Sequence, residues 1–443
     1  MIDKKGEFIM PTKEREKKST KKTGKIFLKV LLAIIIIIAI IAAFIATANI
    51  ISFKSSENFV STIQKVDTDG LVPEKDTDGY YTFTTDNDFK VVHLTDVHIG
   101  AGFLSSKKDS MAINAVEAMV RAEKPDLVIV TGDIAYPVPF QAGTFNNKNA
   151  AKIFADLMEK MGVYYCIAFG NHDTESYSYY SREDIAKVYE NPEKYPHCLF
   201  EAGPEEVDGV GNYFVKVKNT KGEITQAFCM LDSGSYVDGD TFGILWKYDC
   251  VHENQVEWYE SQIKSFTQQN NGNVPSSLMF FHIPPIEMRE AYYEYKDNGF
   301  NDTEDVQYLY GKAGEKGAAI YTSEYNHGLF DKVKELGSTK AIFMGHDHLN
   351  NFTLMYDGIQ LSYGYSIDYL AYSGISKFGA QRGCNIITCK PDGTFTTELQ
   401  NYYQDKYQSQ HTKENVSMDD YYTEEQLAEA ESKWQEEQAE KNS

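Results

Sequence analysis

Four things are absent or scarce in this 443-residue chain, and each bounds what it can be. No stretch rich in proline, glycine and serine interrupts its middle. A length-based expectation of about two or three domains therefore gives way to one large globular domain with appendages. No period of the solenoid kind recurs, which removes repeat architectures. Basic charge is short: 43 Lys and Arg face 65 Asp and Glu, and ten of the former but only four of the latter fall in residues 1–29. The remainder has 33 basic and 61 acidic residues, a net −28. A body so acidic has no broad electrostatic footprint for nucleic acid, and an anionic substrate would need something local and positive to hold it. Cysteines number six. Cys166 and Cys229 lie in apolar runs ("VYYCIAF", "AFCML") and read as buried thiols. Cys384 and Cys389 are five apart and so face opposite sides of a regular strand, where a disulfide would require a bend.

What is present begins with one long uncharged run, Val30 to Phe53, preceded by the basic 1–29 segment. It exceeds the roughly 20 residues that span a bilayer. The positive flank predicts a single-pass signal anchor with a cytoplasmic N-terminus and an extracytoplasmic body. The rival is a cleaved signal peptide, since "ATA" (Ala46 to Ala48) resembles a cleavage site, but the run is long for a signal core. Residues 54–79 are polar, carry "DTDG" twice, and read as a stalk. A globular domain is expected over 80–402 and an acidic tail over 403–443. Within that tail, Thr423 and Gln426 match a capping box and Leu427, Ala430 and Trp434 share a helical face; the composition favours a solvated segment.

The body alternates. "FKVVHLTDVH", "PDLVIVTGD" and "VYYCIAFGNHD" are strand-like, and helical spacing separates them ("MAINAVEAMVRAEK", "AAKIFADLMEKM"). That order predicts an α/β fold with parallel strands and crossover helices. Farther on, "SSLMFFH" and "KAIFMGHDH" are again strands, each preceded by a helical pattern. "FTLMYDGIQLSYG" reads as a hairpin turning at Asp357-Gly358.

Five strands end in polar residues: Asp96 and His98; Asp133 after Gly132; Asn171, His172 and Asp173 after Gly170; His282; and His346 and His348 after Gly345. Any one of these is an ordinary turn or helix cap. Together they are expected to converge, because ligands of open α/β sheets bind beyond the carboxyl ends of the strands. Imidazole, carboxylate and one amide oxygen make a donor set that suits Mn, Fe or Zn. Two divalent ions would need a shared carboxylate, for which Asp133, in its tight Gly-Asp turn, is the natural choice. Gly132, Gly170 and Gly345 are expected to let the backbone turn sharply there. The remaining histidines, His93, His197, His252, His327 and His411, belong to no such pattern and read as structural or exposed.

The ordered motifs D-x-H, G-D, G-N-H-D, a strand-end His and G-H-x-H resemble the calcineurin-like metallophosphoesterases over about residues 88–400. The resemblance implies a β-sandwich flanked by helices and hydrolysis of phosphate esters at a pair of divalent metal ions. It implies that Asp96, His98, Asp133 and His348 hold the first metal, and Asp133, Asn171, His282 and His346 the second. It further implies a metal-bridging hydroxide as nucleophile and His172 as general acid, oriented by Asp173, with Asp347 facing elsewhere. "FFHIPPIEMREAY" and "DGIQLSYGYS" are similar to the purple-acid-phosphatase-like branch that carries D-x-H. "GDIAY" matches the G-D-x-x-Y of true purple enzymes, whose Tyr binds ferric iron. Here His98 fills that metal's position, so Tyr136 is expected to be a packed rim aromatic. Monoesterase, phosphodiesterase or nucleotidase acting on nucleotide, wall or lipid phosphoesters, and a non-catalytic binding module on the same scaffold all remain open.

Overall fold

The computed structural model describes residues 13–68, 70–372, 375, 381–410, 413 and 414. The chain divides into two compact units, Met1–Ile51 and Ser52–Ser443. The first is helical from Lys13, within a helix that runs to Ser61. Its apolar side chains from Ile26 to Ile45 have no core to pack into. The segment is long and apolar enough to cross a membrane, with a mean hydropathy of 3.3 over its most apolar window.

The second unit holds the strands. In chain order they are β1 (Glu74–Lys75), β2 (Tyr81–Thr84), β3 (Phe89–Leu94), β4 (Leu127–Thr131), β5 (Tyr165–Ala168), β6 (Tyr213–Lys218) and β7 (Ile224–Met230). There follow β8 (Ser276–Phe280), β9 (Val306–Tyr310), β10 (Thr339–Met344), β11 (Thr353–Tyr356), β12 (Ile359–Tyr363), β13 (Gly383–Cys389) and β14 (Phe395–Asn401). One sheet has the order β1-β2-β6-β7-β8-β10-β12-β11-β9 and the other β14-β13-β3-β4-β5. β3, β4 and β5 are parallel neighbours joined by the helices Ser106–Glu123 and Asn147–Met161, as the alternation predicted. β7, β8, β10 and β12 are likewise parallel. The hairpin turns where expected, with Asp357 and Gly358 both at positive φ (48° and 80°), the geometry a two-residue turn requires.

The two sheets face one another. Phe89, Phe228, Phe280 and Phe343 meet between them, with centroid spacings of 5.0–6.2 Å along the row. Along β7, β8 and β10 the inward residues alternate with Cys229, Met279 and Ile342, which pack on the far side. That second core lies against residues of the helices Glu253–Gln269, Ile286–Asp297 and Leu329–Leu336. Strands buried on both faces explain why they read as continuous apolar runs.

Two expectations meet a different arrangement. In the segment expected as a stalk over 54–79, residues 54–68 and 70–79 are part of the fold: Val60, Ile63 and Val66 are in the core, and β1 pairs with β2. Their apolar residues are few, so composition alone hides them. At the other end Tyr402 and Tyr407 are buried, so the fold continues past residue 402; the helix considered over 423–440 lies outside the described residues. All six cysteines are free, and Cys384 and Cys389 sit on one regular strand without bridging.

Candidate metal centre

β3 and β4 continue beyond their last regular residues as a paired ribbon. Asp96 N donates to Gly132 O (3.1 Å), His98 N to Asp133 O (2.9 Å) and Ile99 N to Ile134 O (2.8 Å). The ribbon is strained. Asp96, His98 and Asp133 have φ of 51–52°, and His346 has 79°, a region that costs side-chain-bearing residues energy and persists where surroundings over-determine it. Gly132 shares the positive φ (82°). Gly170 and Gly345 do not; they are needed for space. A Cβ on Gly170 would stand 2.1 Å from Asp133 Oδ1, and one on Gly345 1.9 Å from Thr95 Oγ1.

The strand-end residues converge into two adjoining groups. Asp96, His98, Asp133 and His348 each offer a ligand atom within 4.8 Å of the others. Beside them, His282 Nε2 lies 3.1 Å from Asn171 Oδ1 and 3.3 Å from His346 Nδ1, and His346 Nδ1 is 3.0 Å from Asn171 Oδ1. Asp133 Oδ2 joins the groups, 3.3 Å from His98 Nε2 and 3.2 Å from His282 Nε2.

These spacings ask for a cation. The Nδ1 of His282 is 2.8 Å from the Thr131 carbonyl and donates to it. A neutral ring then turns the Nε2 lone pair toward two oxygens. Electron pairs at that range coexist only with a proton or a metal ion between them, and donors sharing one ion at about 2.0–2.2 Å stand roughly 3 Å apart. Burial alone would lower the His282 pKa, yet Asp133 raises it to about 9. Asp96 Oδ1 is buried with no hydrogen-bond partner, a further acceptor awaiting positive charge.

The family model for calcineurin-like phosphoesterases matches residues 89–350. This chain belongs to that family. It is 28% identical over 322 residues to "Probable inactive purple acid phosphatase 14" of Arabidopsis thaliana, covering 66% of this chain and 74% of that protein. It is 27% identical over 331 residues to "Probable inactive purple acid phosphatase 29" of the same plant, covering 69% and 77%. Similarity to "Phosphatase DCR2" of Saccharomyces cerevisiae is 28% over 305 residues, covering 63% of this chain and 48% of that one. A solved dimetal phosphatase from Danio rerio is similar at 12% identity with a TM-score of 0.43, over 72% of this chain and 98% of that one.

Around the two groups the chain places residues that no sequence motif marked. His172 is not oriented by Asp173. Its Nδ1 lies 2.6 Å from Glu175 Oε1. Asp173 turns the other way and accepts the backbone N–H of Asp133, Ala135 and Gly170 (2.8–3.0 Å), bracing the loop. Residues 172–174 form a 3₁₀ turn, in which side chains three apart lie over one another. That spacing was the available signal for Glu175. Burial by itself lowers the His172 pKa, but Asp133 and Glu175 more than offset it and the net shift is upward.

Asp368 is the second omission. Buried behind the first group, its Oδ1 is 3.6 Å from His98 Nδ1 and its Oδ2 3.4 Å from His348 Nδ1. Backbone N–H groups of Leu370, Ala371 and Tyr372 hold it in place. Burial opposes its charge, but the two imidazoles and these N–H groups hold its pKa well below the usual carboxylate range. It follows its partners by more than 200 residues or by 20, and nothing in "GYSIDYL" marks it.

Tyr136 packs edge-on against the rings of His98 (5.0 Å) and His172 (4.9 Å), and its hydroxyl donates to Gln141. Tyr236 accepts from Asn171 Nδ2 (2.8 Å), and the Tyr248 ring meets His346 edge-on at 4.3 Å. Asp347 faces away, accepting from Tyr363, Asn350 and Tyr321. Elsewhere His93 is buried against Thr131 with its pKa lowered to about 3 by burial, while His197 pairs with Glu159 and His252 with Asp208 and Asp249. His327 lies beside His252, and His411 is outside the described residues.

Proposed function

We propose that this chain is a membrane-anchored phosphoester hydrolase working with two divalent ions, Mn, Fe or Zn by the chemistry of the donors. The observation that carries the reading is the position of Asp133 Oδ2 between His98 and His282. Asp96, His98, Asp133 and His348 would hold one ion, and Asp133, Asn171, His282 and His346 the other. Bound there, the ions supply Lewis acidity that offsets charge on the phosphoryl oxygens and acidifies water as the nucleophile.

The chain's own residues do the rest. Asp368 stands behind both rings, nearer to that of His348 (3.4 Å) than to that of His98 (3.6 Å), and a carboxylate so placed would orient ligating histidines and raise their basicity. Glu175 holds His172 Nδ1–H, which leaves Nε2 as the nitrogen that delivers a proton to the leaving oxygen. The His172 side chain is 25% exposed, against 0% for His98 and His282 and 12% for His348, as proton delivery to a substrate requires. Asp173 acts on the loop, not on the imidazole.

The relatives named as probable inactive pose the alternative, a binding module. Every expected ligand position is filled here and the donors converge, which supports catalysis. Metal analysis of the purified full chain with a panel of phosphate mono- and diesters tests this. Two equivalents of metal and turnover are expected; metal without turnover on any ester would favour the binding module. For topology, protease added outside intact cells should digest the folded unit, and protection of that unit would refute the orientation.

A further inference from the structure

Beyond residue 51, fourteen large apolar side chains are exposed among the described residues, and nine of them lie on segments that follow the carboxyl ends of strands, eight in loops and Phe140 in a short helix, at the end of the sheets that carries the metal centre. The densest group is on the loop after β7. Phe242, Ile244, Leu245 and Trp246 are 58–74% exposed within five residues. The loop is built to hold them outward. The Asp240 carboxylate accepts the backbone N–H groups of Ile244, Leu245 and Lys247 (3.0–3.2 Å). Its two ends carry Tyr236 and Tyr248, which touch Asn171 and His346. The apolar crest is thus mounted directly on the metal centre. Clusters of this kind on a soluble surface mark an interaction site.

The path of the chain indicates what covers it. The folded unit begins at Ser52, whose hydroxyl donates to the Gly102 carbonyl (2.8 Å), on the same loop as His98. From there the chain runs away from the metal centre. Val66 N reaches the carbonyl of Met161, the last residue of the helix that leads into the amino end of β5. The folded unit therefore begins, one residue after the apolar segment ends its own unit, at the face that carries the crest.

We propose that this face rests on the bilayer and that the centre hydrolyses a phosphoester carried by a membrane lipid. This rests on the function proposed above. The body is too acidic to be drawn to anionic headgroups by charge, so attachment falls to insertion of apolar side chains, with Trp246 suited to the interface. Hydrolysis forms a bond from water oxygen to phosphorus and breaks that from phosphorus to the lipid alcohol, whose oxygen takes its proton from His172; the proton released by the attacking water restores His172 through solvent. No other reactant is required.

The test uses the full chain reconstituted in phosphatidylcholine vesicles. Substrates are phosphatidic acid and phosphatidylglycerol, each against its deacylated headgroup, glycerol phosphate or glycerophosphoglycerol. Substituting Phe242, Ile244, Leu245 and Trp246 together by Ser should lower kcat/KM on the vesicle-borne ester by roughly tenfold or more and leave that on the soluble one unchanged. Separately, lipids brominated in the acyl chain should quench wild-type tryptophan fluorescence, and Trp246→Phe should remove that component. Absence of this quenching, a wild-type preference for deacylated esters, or equal losses on both substrates would overturn the proposal. Quenching without turnover of any ester would instead remove the catalytic reading and leave the membrane-facing surface standing.

Discussion

Replacing Asp133 by Asn changes one atom and one charge, and the structure dictates how the amide must sit. Asp133 Oδ1 accepts the backbone N–H of His172 at 2.8 Å, so the Asn oxygen stays there. The NH₂ group then takes the place of Oδ2, 3.3 Å from His98 Nε2 and 3.2 Å from His282 Nε2. It donates to both lone pairs that would otherwise bind metal. The substitution therefore removes a negative charge shared by two cations and caps one further ligand on each side. Loss of one partner from a buried charge pair costs about 3–5 kcal/mol, so affinity should fall roughly 10²–10⁴-fold. Without metal, Asp133 and the protonated His282 form a buried ion pair, so the metal-free Asn variant loses that pair and its Tm should fall at neutral pH. Chelator-competition titration with Mn or Zn, bound metal per chain and calorimetry of the apo form together measure this. An Asn variant that keeps two tightly bound ions and normal turnover would refute the bridging role.

Other substitutions separate the remaining roles. His172→Ala should lose about 10²–10⁴-fold on alkyl phosphates and less on nitrophenyl phosphate, whose leaving group needs little acid, with metal content unchanged; loss of a metal would make it a ligand instead. Asp368→Asn should weaken binding of one of the two ions by about 10–100-fold while sparing the other, read as bound stoichiometry against free metal; loss of both together would point to general unfolding. With iron loaded, the protein should show no tyrosinate charge-transfer band, because the Tyr136 hydroxyl is engaged by Gln141; a coloured protein that bleaches in Tyr136→Phe would place that oxygen on the metal. Asp76 lies 2.5 Å from the buried Lys216 ammonium and 3.1 Å from Lys218. Burial opposes its charge, but the two lysines lower its pKa on balance. A depressed carboxylate stabilises the fold above its unfolded pKa and ceases to as pH falls. Asp76→Asn should thus cost about 1.5–3 kcal/mol near pH 7 and progressively less below about pH 4, measured by denaturant titration across pH; a cost independent of pH would sink the ion-pair explanation.

The sequence by itself determined the family, the α/β order and the residues that converge. Strands buried on both faces must be written in unbroken apolar residues, and the polar residues that stop them mark the sheet's carboxyl edge wherever they fall along the chain. Asp96, His98, Asp133, Asn171, His282, His346 and His348 are legible for that reason: each falls where an apolar run breaks off. What only the tertiary structure decided are contacts no pattern encodes. Asp368 reaches His98 and His348 because β12 lies parallel to β10 and the chain past it folds back behind the metal centre. Glu175, not the adjacent Asp173, meets His172 because a 3₁₀ turn points neighbours apart and brings residues three apart together. Val60, Ile63 and Val66 join the core where distant residues hold the chain: Arg121 donates to the carbonyls of Gln64 and Lys65, and Val66 N to that of Met161. Burial on one face is readable from a strand; which distant surface completes it is set by the packing of the whole chain.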